Sequence, residues 1–150
     1  MILSNMTERF KYIGSSYLIL VEDNKVLLLK RANTGFMDGY YGVPSGHMEG
    51  NETAREGGAR EIKEEIGIDV NPMDFKVVHV MHRKAKDDER IDFFMTADKY
   101  TGEIKNCEPN KCEELKWFPL DDLPDNIIPY IKEAINNYKN NIFYSEWGWE

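Results

Sequence analysis

Three glutamates, Glu61, Glu64 and Glu65, are the residues of this chain best placed to do chemistry. In an α-helix they stand at positions i, i+3 and i+4, so their carboxylates project from one face. Like charges at that spacing repel one another, and carboxylate oxygens are the ligands that hard divalent cations prefer. The spacing predicts a metal-binding helix face, although an isolated group of this kind is more typical of a solvated acidic surface.

The neighbouring sequence supplies the elements that would position these glutamates. A helix over residues 53–66 would have small or apolar residues on its opposite side, suited to packing under a sheet. These residues are Ala54, Ala59, Ile62 and Ile66. Gly67 provides a C-terminal stop, and residues 46–52 provide a loop that can fold back over the helix start.

The complete motif is longer than the three glutamates. Residues 46–68 read G-H-M-E-G-N-E-T-A-R-E-G-G-A-R-E-I-K-E-E-I-G-I, which matches the pattern G-x5-E-x7-R-E-U-x-E-E-x-G-U, where U is aliphatic. From average residue usage, a chance match at a given start is expected roughly once in 10^10. On this motif the chain resembles the nudix hydrolases, and the agreement in register disfavours the solvated-surface interpretation.

The resemblance implies a metal-dependent hydrolase. Glu61, Glu64 and Glu65 would be the catalytic residues, and together with the backbone carbonyl of Ser45 they would bind Mg²⁺, or Mn²⁺ in its place. The ions would polarise phosphate oxygens and lower the pKa of the water that attacks phosphorus. Which carboxylate accepts the proton is left open.

The other motif residues would support the site rather than react. They are Gly46, Glu52, Arg60 and Gly67. Glu52 and Arg60 would form an ion pair that holds the loop against the helix. The motif is entered through Pro44-Ser45-Gly46, whereas nudix proteins usually have P-G-G. A backbone carbonyl survives that change, so Ser45 can still be a ligand if its backbone tolerates the turn.

A second segment resembles the MutT-like nudix enzymes, which cleave nucleotides. Residues 107–124 read C-E-P-N-K-C-E-E-L-K-W-F-P-L-D-D-L-P, similar to the patterns E-P-x-K-C and W-x-P-x-x-x-L-P. The resemblance implies that the loop before a strand supplies a fourth metal-binding carboxylate. Glu113 is the first choice, with Glu108 and Glu114 as alternatives.

Phosphate groups also need positive charge beside the metal ions. Arg31 ends a predicted strand and matches a basic position near the substrate in MutT-like enzymes, and Arg83 and Arg90 flank the loop between two later strands. Phe36 and Tyr41 are aromatic residues that could stack on a base. We therefore predict Arg31, Phe36, Tyr41 and Arg83 as substrate-binding residues, although residues of these types serve the core or the surface more often.

Apolar segments at residues 12–22 and 25–31, joined by Asp23-Asn24, predict a hairpin of two core strands. Further strands are predicted at residues 40–43, 76–84, 91–97 and 115–118, and an amphipathic helix at residues 128–138. Strands interleaved with two helices favour an α/β fold in which a mixed β-sheet is sandwiched between helices. This is the nudix fold that the resemblance implies.

Length and composition favour one small enzyme domain over residues 1–150. The net charge of −8 is spread along the chain, which disfavours binding to a nucleic-acid polymer. The longest apolar run is too short to span a membrane, no targeting segment is found, and Cys107 and Cys112 are expected to be reduced thiols. We expect a cytoplasmic monomer or homodimer whose partner is a small-molecule nucleotide.

Three functions compete on these observations. The downstream patterns favour a pyrophosphohydrolase that cleaves a nucleoside triphosphate to the monophosphate and pyrophosphate. A pyrophosphatase for ADP-ribose or another nucleotide sugar is the alternative. A nudix-fold binding module without turnover is disfavoured, because such modules commonly lose motif glutamates and this chain keeps all of them.

Overall fold

The computed structural model describes residues 8–150 and contains two β-sheets and two α-helices. The elements are β1 (Ile13–Leu18), β2 (Val21–Glu22), β3 (Lys25–Arg31), β4 (Tyr41–Gly42), β5 (Ser45–His47), α1 (Ala54–Ile66), β6 (Phe75–Lys84), β7 (Glu89–Ala97), β8 (Cys112–Pro119), α2 (Pro129–Lys139) and β9 (Tyr144–Trp147). A single 3-10 turn, Pro72–Asp74, precedes β6. Within residues 8–150, neither α-helix is long and apolar enough to cross a membrane.

The first sheet is mixed and has the strand order β5-β1-β7-β6-β9. Its β1–β7 and β6–β9 pairs are parallel, whereas β1–β5 and β6–β7 are antiparallel. The second sheet is antiparallel and is built on β3, which pairs with β8 over most of its length and with β2 and β4 as well.

The two helices bury apolar residues against two separate cores. Ile62 and Ile66 of α1 pack with Leu18, Phe75 and other residues in one core. The α2 residues Ile131, Ala134 and Ile135 pack in the other core, which includes Tyr17 and Ile19. Successive strand residues point to opposite faces, so the division of Tyr17 and Leu18 between the cores places a helix on each side of the first sheet. The predicted α/β fold, a mixed sheet between helices, is confirmed.

The prediction of one strand over residues 12–22 is wrong, because the chain changes sheets at Ile19 and Leu20. The Ile19 N–H donates to the carbonyl of Met95 in the first sheet, whereas the Leu20 carbonyl accepts from Leu27 in the second. Only β2 and β3 therefore form the hairpin. Its turn residues Asp23 and Asn24 have φ values of 51° and 63°, as a two-residue type I′ turn requires.

The other predicted elements lie where the sequence places them, with boundaries shifted by up to three residues. Two short strands, β5 and β9, were not predicted. Residues Ser45–His47 of β5 have no alternation of apolar and polar residues, and they become a strand by pairing with β1. This pairing sets the motif loop beside the first sheet.

Helix α1 is fixed at both ends by local interactions. Thr53 is the N-cap, and its side chain accepts from the Glu56 N–H while the Glu56 carboxylate accepts from the Thr53 N–H. Such a capping box satisfies two backbone donors that the first turn leaves free. Gly67 ends the helix with φ 77°, a left-handed conformation that favours glycine. Both ends agree with the predicted helix.

Candidate active site

The acidic side of α1 forms one wall of a cavity of about 500 Å³. Glu61, Glu64 and Glu65 all line it, and Glu108 joins them from the loop before β8. Arg31, Lys111 and the polar residues Asn33 and Thr34 also contribute to the lining. The structure thus brings the three predicted motif glutamates together with a fourth carboxylate and two cations.

Burial changes the protonation of Glu65. It raises the pKa of the Glu65 carboxyl to about 8, with further upward contributions from the negative charges of Glu61 and Glu108. A hydrogen bond of 3.0 Å from the Ser45 N–H and the charge of Arg31 act in the opposite direction. Together these effects favour the protonated form of the Glu65 carboxyl over the range of pH below about 8.

Glu61 lies in a tight space between α1 and β5. Burial raises the pKa of its carboxyl, and the Arg60 guanidinium, whose Nη1 donates to Glu61 Oε1 at 2.7 Å, partly offsets that effect. A Cβ atom at Gly46 would stand 2.5 Å from Glu61 Oε2. Glycine at residue 46 is therefore what allows the carboxylate to lie against the strand.

Arg60 connects the motif loop to the helix. Its Nη2 lies 2.9 Å from Glu52 Oε2, its Nε donates to Glu52 Oε1 at 3.2 Å, and its Nη2 also reaches the His47 carbonyl at 3.3 Å. The hydrogen bonds from Arg60 to the Glu52 carboxylate, together with one from the Glu49 N–H, hold the pKa of Glu52 below its usual value. The geometry is that of the predicted Glu52–Arg60 ion pair.

The donor set suits a hard cation such as Mg²⁺ or Mn²⁺, because it consists of carboxylate oxygens. Within residues 8–150, however, no three Asp, Glu, His or Cys side chains converge closely enough to clasp an ion as they stand. Glu61 is turned to Arg60, and Glu65 accepts from Ser45. A cation would have to compete with these protein donors for the same oxygens.

The structure corrects the choice of the fourth carboxylate. Glu113, the first choice, is exposed and pairs with Lys30 at 3.4 Å, and Glu114 accepts a hydrogen bond from the Tyr41 hydroxyl. Neither residue lines the cavity, whereas Glu108 does. The reason is the pairing of β8 with β3, which sets Glu114 opposite Lys30 and away from α1. Glu108 therefore replaces Glu113 as the candidate ligand.

Two predicted substrate contacts, Tyr41 and Arg83, are buried instead. Tyr41 packs edge-on against Phe118, and burial together with the Glu114 hydrogen bond raises the pKa of its hydroxyl to about 12. Arg83 is 7% exposed and donates from Nε to Asp92 Oδ2 at 2.6 Å. Neither side chain is free to contact a phosphate or to stack on a base, so both predictions are corrected.

A second cavity, of about 530 Å³, adjoins the first. Glu61, Glu65, Arg31 and Lys111 line both cavities. The remaining lining of the second cavity includes Ser15, Tyr17, Phe36, Ser45, Glu49, Arg90 and Tyr130. Both spaces are therefore rich in charged residues, and the second differs from the first by its aromatic side chains.

Arg31 and Phe36 are held together beside this boundary. Arg31 Nε donates to the Phe36 carbonyl at 2.8 Å, its Nη2 donates to Thr34 Oγ1 at 3.1 Å, and its guanidinium lies 5.4 Å from the Phe36 ring centre. Lys111 was not predicted as a site residue, and Arg90 was considered beside Arg83 but not chosen. The E-P-x-K-C pattern contains Lys111 and was a usable signal, whereas nothing local distinguished Arg90 from Arg83.

Comparison with known proteins agrees with this geometry. The NUDIX domain model matches residues 13–138. The chain belongs to the NUDIX family. It is 28% identical over 127 residues to a provisional 8-oxo-dGTP diphosphatase of Bacillus subtilis (strain 168), covering 85% of this chain and 79% of that protein.

Other NUDIX relatives differ in substrate. An ADP-ribose pyrophosphatase of Methanocaldococcus jannaschii is 34% identical over 106 residues, which cover 71% of this chain and 61% of the relative. The crystal structure of a MutT NUDIX hydrolase from Burkholderia pseudomallei superposes with a TM-score of 0.76 at 27% identity, covering 84% of this chain and 97% of that one. The chain is thus a NUDIX hydrolase of the MutT type.

Replacement of Gly46 by alanine should displace the Glu61 carboxylate, because the new Cβ would overlap it. We expect kcat/KM to fall about 100-fold, the scale of a misplacement near 1 Å, and magnesium affinity to fall with it. Gly50→Ala is the matched control, since a Cβ there meets nothing within 4 Å. Equal activity of the two variants would contradict the proposed close approach.

Magnesium binding should release protons near neutral pH, because the pKa of Glu65 is raised to about 8 and a carboxylate must be deprotonated to bind metal. Calorimetry in buffers of different ionisation enthalpy should show release of about one proton per protein at pH 7 and an affinity that rises with pH.

The metal-free protein offers a second measurement. The folded pKa of Glu65 lies above the unfolded value of 4.5, so its contribution to stability is lost as pH rises from 4.5 towards 8. Glu65→Gln should therefore raise the melting temperature more at pH 8 than at pH 5. A variant with the same pH profile as the wild type would count against the raised pKa.

Proposed function

We propose that this NUDIX protein hydrolyses a nucleoside triphosphate to the nucleoside monophosphate and pyrophosphate, with Mg²⁺ or Mn²⁺ as cofactor. The observation that supports this most strongly is the shared wall of the two cavities. Glu61, Glu65, Arg31 and Lys111 line both spaces, so a phosphate chain lying across this boundary would be near the carboxylates that would hold the cation and near the side chains of Arg31 and Lys111.

The two cavities differ in the chemistry they offer to a substrate. The first has Glu64, Glu108, Asn33 and Thr34 beside the shared residues, which suits metal ions and terminal phosphates. The second has aromatic side chains, among them Phe36, which is 49% exposed and free to stack on a ring. The second cavity also contains Glu49 and Arg90, so its distinguishing feature is the aromatic side chains, which suit a substrate whose phosphate chain ends in a ring.

A divalent cation bound here would polarise the phosphate oxygens and lower the pKa of water. The protein residues would hold the carboxylates in place around the cation and supply positive charge beside them. Arg60 holds Glu61 in place, the Ser45 N–H orients Glu65, and Arg31 is fixed by Phe36 and Thr34 so that its charge faces the carboxylates. One of the motif glutamates, Glu61, Glu64 or Glu65, or a loop carboxylate would accept the proton from the attacking water.

ADP-ribose is the second candidate substrate. The relative that is 34% identical and named an ADP-ribose pyrophosphatase favours it, and the cavities have similar volumes, about 500 and 530 Å³, as a substrate with two organic ends needs. The first cavity argues for the triphosphate, because Glu64 and Glu108 join the shared residues there and a terminal ribose carries no phosphate for a cation held by them.

The cellular setting is part of the proposal. Cys107 and Cys112 are free thiols, which supports a reducing compartment such as the cytoplasm. We propose that the protein acts there on a small-molecule nucleotide, as a monomer or a homodimer.

Replacement of Glu65 by glutamine removes one charge from the carboxylate group and keeps its shape. Turnover of the best substrate at saturating magnesium should fall at least about 100-fold. Glu103→Gln is the control, since Glu103 is exposed and does not line either cavity. The turnover of both variants is measured as the pyrophosphate released from each nucleotide of a panel. Near wild-type turnover of Glu65→Gln would rule out its assigned role.

Arg31→Ala tests the class of substrate. Loss of a charge-assisted contact should lower kcat/KM for triphosphates about ten- to a hundred-and-fifty-fold, equivalent to roughly 1.5 to 3 kcal/mol, and should affect ADP-ribose less. Arg9→Ala, at an exposed arginine remote in sequence from the site, is the control. The substrates are dGTP, dCTP, ATP and ADP-ribose. A wild-type preference for ADP-ribose, or equal losses on all four substrates, would favour the nucleotide-sugar alternative.

A further inference from the structure

The loop between β3 and β4 folds around one carboxylate, that of Asp38. The Thr34 N–H donates to Asp38 Oδ1 at 3.0 Å, the Gly35 N–H donates to Oδ2 at 2.9 Å, and the Thr34 hydroxyl donates to Oδ1 at 2.6 Å. Asp38 is exposed and lines neither cavity of the candidate active site. Any effect of Asp38 on a substrate therefore has to pass through another residue of the loop.

Thr34 connects this carboxylate to Arg31. Its hydroxyl oxygen accepts from Arg31 Nη2 at 3.1 Å and from the Phe36 N–H at 3.2 Å. The single hydroxyl hydrogen has two acceptors within reach, Asp38 Oδ1 at 2.6 Å and the Phe36 carbonyl at 3.0 Å. The shorter contact, to a charged acceptor, is the stronger hydrogen bond. The Thr34 hydroxyl thus donates to Asp38 and accepts twice, which uses its full hydrogen-bonding capacity.

Asp38 is ionised at neutral pH. The hydrogen bonds from the Thr34 hydroxyl and from the Gly35 and Thr34 N–H groups hold the pKa of the Asp38 carboxyl below its usual value, and the charge of Arg31 acts in the same direction. An ionised carboxylate can only accept hydrogen bonds. The direction of each hydrogen bond to Asp38 is therefore defined.

Packing contributes little to the shape of this loop. Residues 33–36 and Asp38 are exposed, whereas Met37 packs against a core. Met37 has a φ of 52°, a left-handed conformation that is uncommon for a residue other than glycine. Hydrogen bonds to the Asp38 carboxylate are therefore the main interactions that hold residues 34 and 35 in place.

Arg31 is held by the same loop and still has donors for a ligand. Its Nε donates to the Phe36 carbonyl at 2.8 Å and its Nη2 donates to Thr34. A guanidinium has five N–H donors, so those not used within the loop can face an anion. The charge of Arg31 lowers the pKa of Glu65, and Arg31 lines both cavities, so the guanidinium lies on the side of the motif carboxylates.

We propose that Asp38 is a positioning residue for substrate binding, which acts through Thr34 to hold the Arg31 guanidinium where it meets the phosphate chain. This inference rests on the proposed nucleotide hydrolysis and adds a residue that does not itself contact the substrate. A long side chain that is not held beforehand has to be ordered by the ligand, which weakens binding. Loss of Asp38 should therefore weaken the binding of a triphosphate.

The charge of Asp38 alone would have the opposite effect. A carboxylate near Arg31 reduces the positive potential that a phosphate meets, so its removal would strengthen binding if the potential were its main contribution. If Asp38 positions Arg31, its removal weakens binding. The sign of the change in affinity distinguishes the two roles.

The test measures dissociation constants by calorimetry with magnesium. The ligands are the α,β-methylene analogues of dGTP, dCTP and ATP, which resist cleavage between the first two phosphates. For the analogue that the wild type binds most tightly, Asp38→Ala should weaken binding about five- to tenfold, the scale of ordering one long side chain. In an Arg31→Ala background, Asp38→Ala should change binding less than about twofold, because the residue through which Asp38 acts is absent.

Asp121→Ala is the matched control. It removes an exposed aspartate whose Oδ1 accepts from Lys139 at 2.8 Å outside both cavities. Its dissociation constants should stay within about twofold of the wild type, since loss of an exposed ion pair elsewhere on the surface does not move Arg31.

Two substitutions at Thr34 separate positioning from a general loss of structure. Thr34→Val keeps the shape of the side chain and removes the hydroxyl, so it should weaken binding as Asp38→Ala does. Thr34→Ser keeps the hydroxyl and should bind within about twofold of the wild type. The double variant of Asp38→Ala and Thr34→Val should bind no more weakly than either single variant, because the two residues act in sequence. Melting temperatures should stay close to that of the wild type, since both positions are exposed.

Several results would overturn the proposal. They are unchanged or tighter binding in Asp38→Ala, additive losses from Asp38→Ala and Thr34→Val, equal binding of the two Thr34 variants, weaker binding that comes with a large fall in melting temperature, and no binding of any analogue to the wild type. If the variants behave as expected but the wild type cleaves no natural triphosphate, the proposed hydrolysis fails while the positioning role of Asp38 holds.

Discussion

The active site depends on one cation, Arg60, placed among glutamates. It binds Glu52 through two nitrogens and Glu61 through a third, and it reaches the His47 carbonyl of the motif loop. Carboxylates crowded on one helix face repel, and burial of Glu65 and Glu61 adds a desolvation cost. Arg60 offsets part of this cost with its positive charge. The same side chain joins the loop to the helix, so it determines both the local charge balance and the position of the loop.

The compactness of this arrangement explains the glycines around it. Gly46 lies against the Glu61 carboxylate, and a Cβ at Gly57 would stand 2.6 Å from Glu52 Oε2. Gly57 is not a fixed position of the motif, yet the Glu52 carboxylate that Arg60 holds lies directly over it. Helix propensity disfavours glycine in the middle of a helix by about 1 kcal/mol relative to alanine. The close approach of a carboxylate accounts for its presence here.

The sequence alone was sufficient to predict the features that depend on local sequence pattern. The spacing of Glu61, Glu64 and Glu65, the Thr53 start and the Gly67 stop depend on neighbours within one or two helical turns, and the helix lies where they predict it. Features set by strand pairing could not be predicted in this way. The choice of Glu108 over Glu113 depends on how β8 meets β3, where the register shifts between Lys30 and Arg31.

The same distinction applies to the lining of the second cavity. The motif residues lie on β5, the following loop and α1, whereas Ser15, Tyr17 and Tyr130 come from β1 and α2. The two groups are neighbours, since Ser15 is the register partner of His47 and the motif residues line the same cavity. The side chains of Tyr17 and Tyr130 lie outside the motif, so they can differ in a NUDIX protein that keeps the carboxylates and Arg60. Membership of the NUDIX family therefore predicts the type of bond that is cleaved better than it predicts the substrate. This is consistent with relatives named for 8-oxo-dGTP and for ADP-ribose.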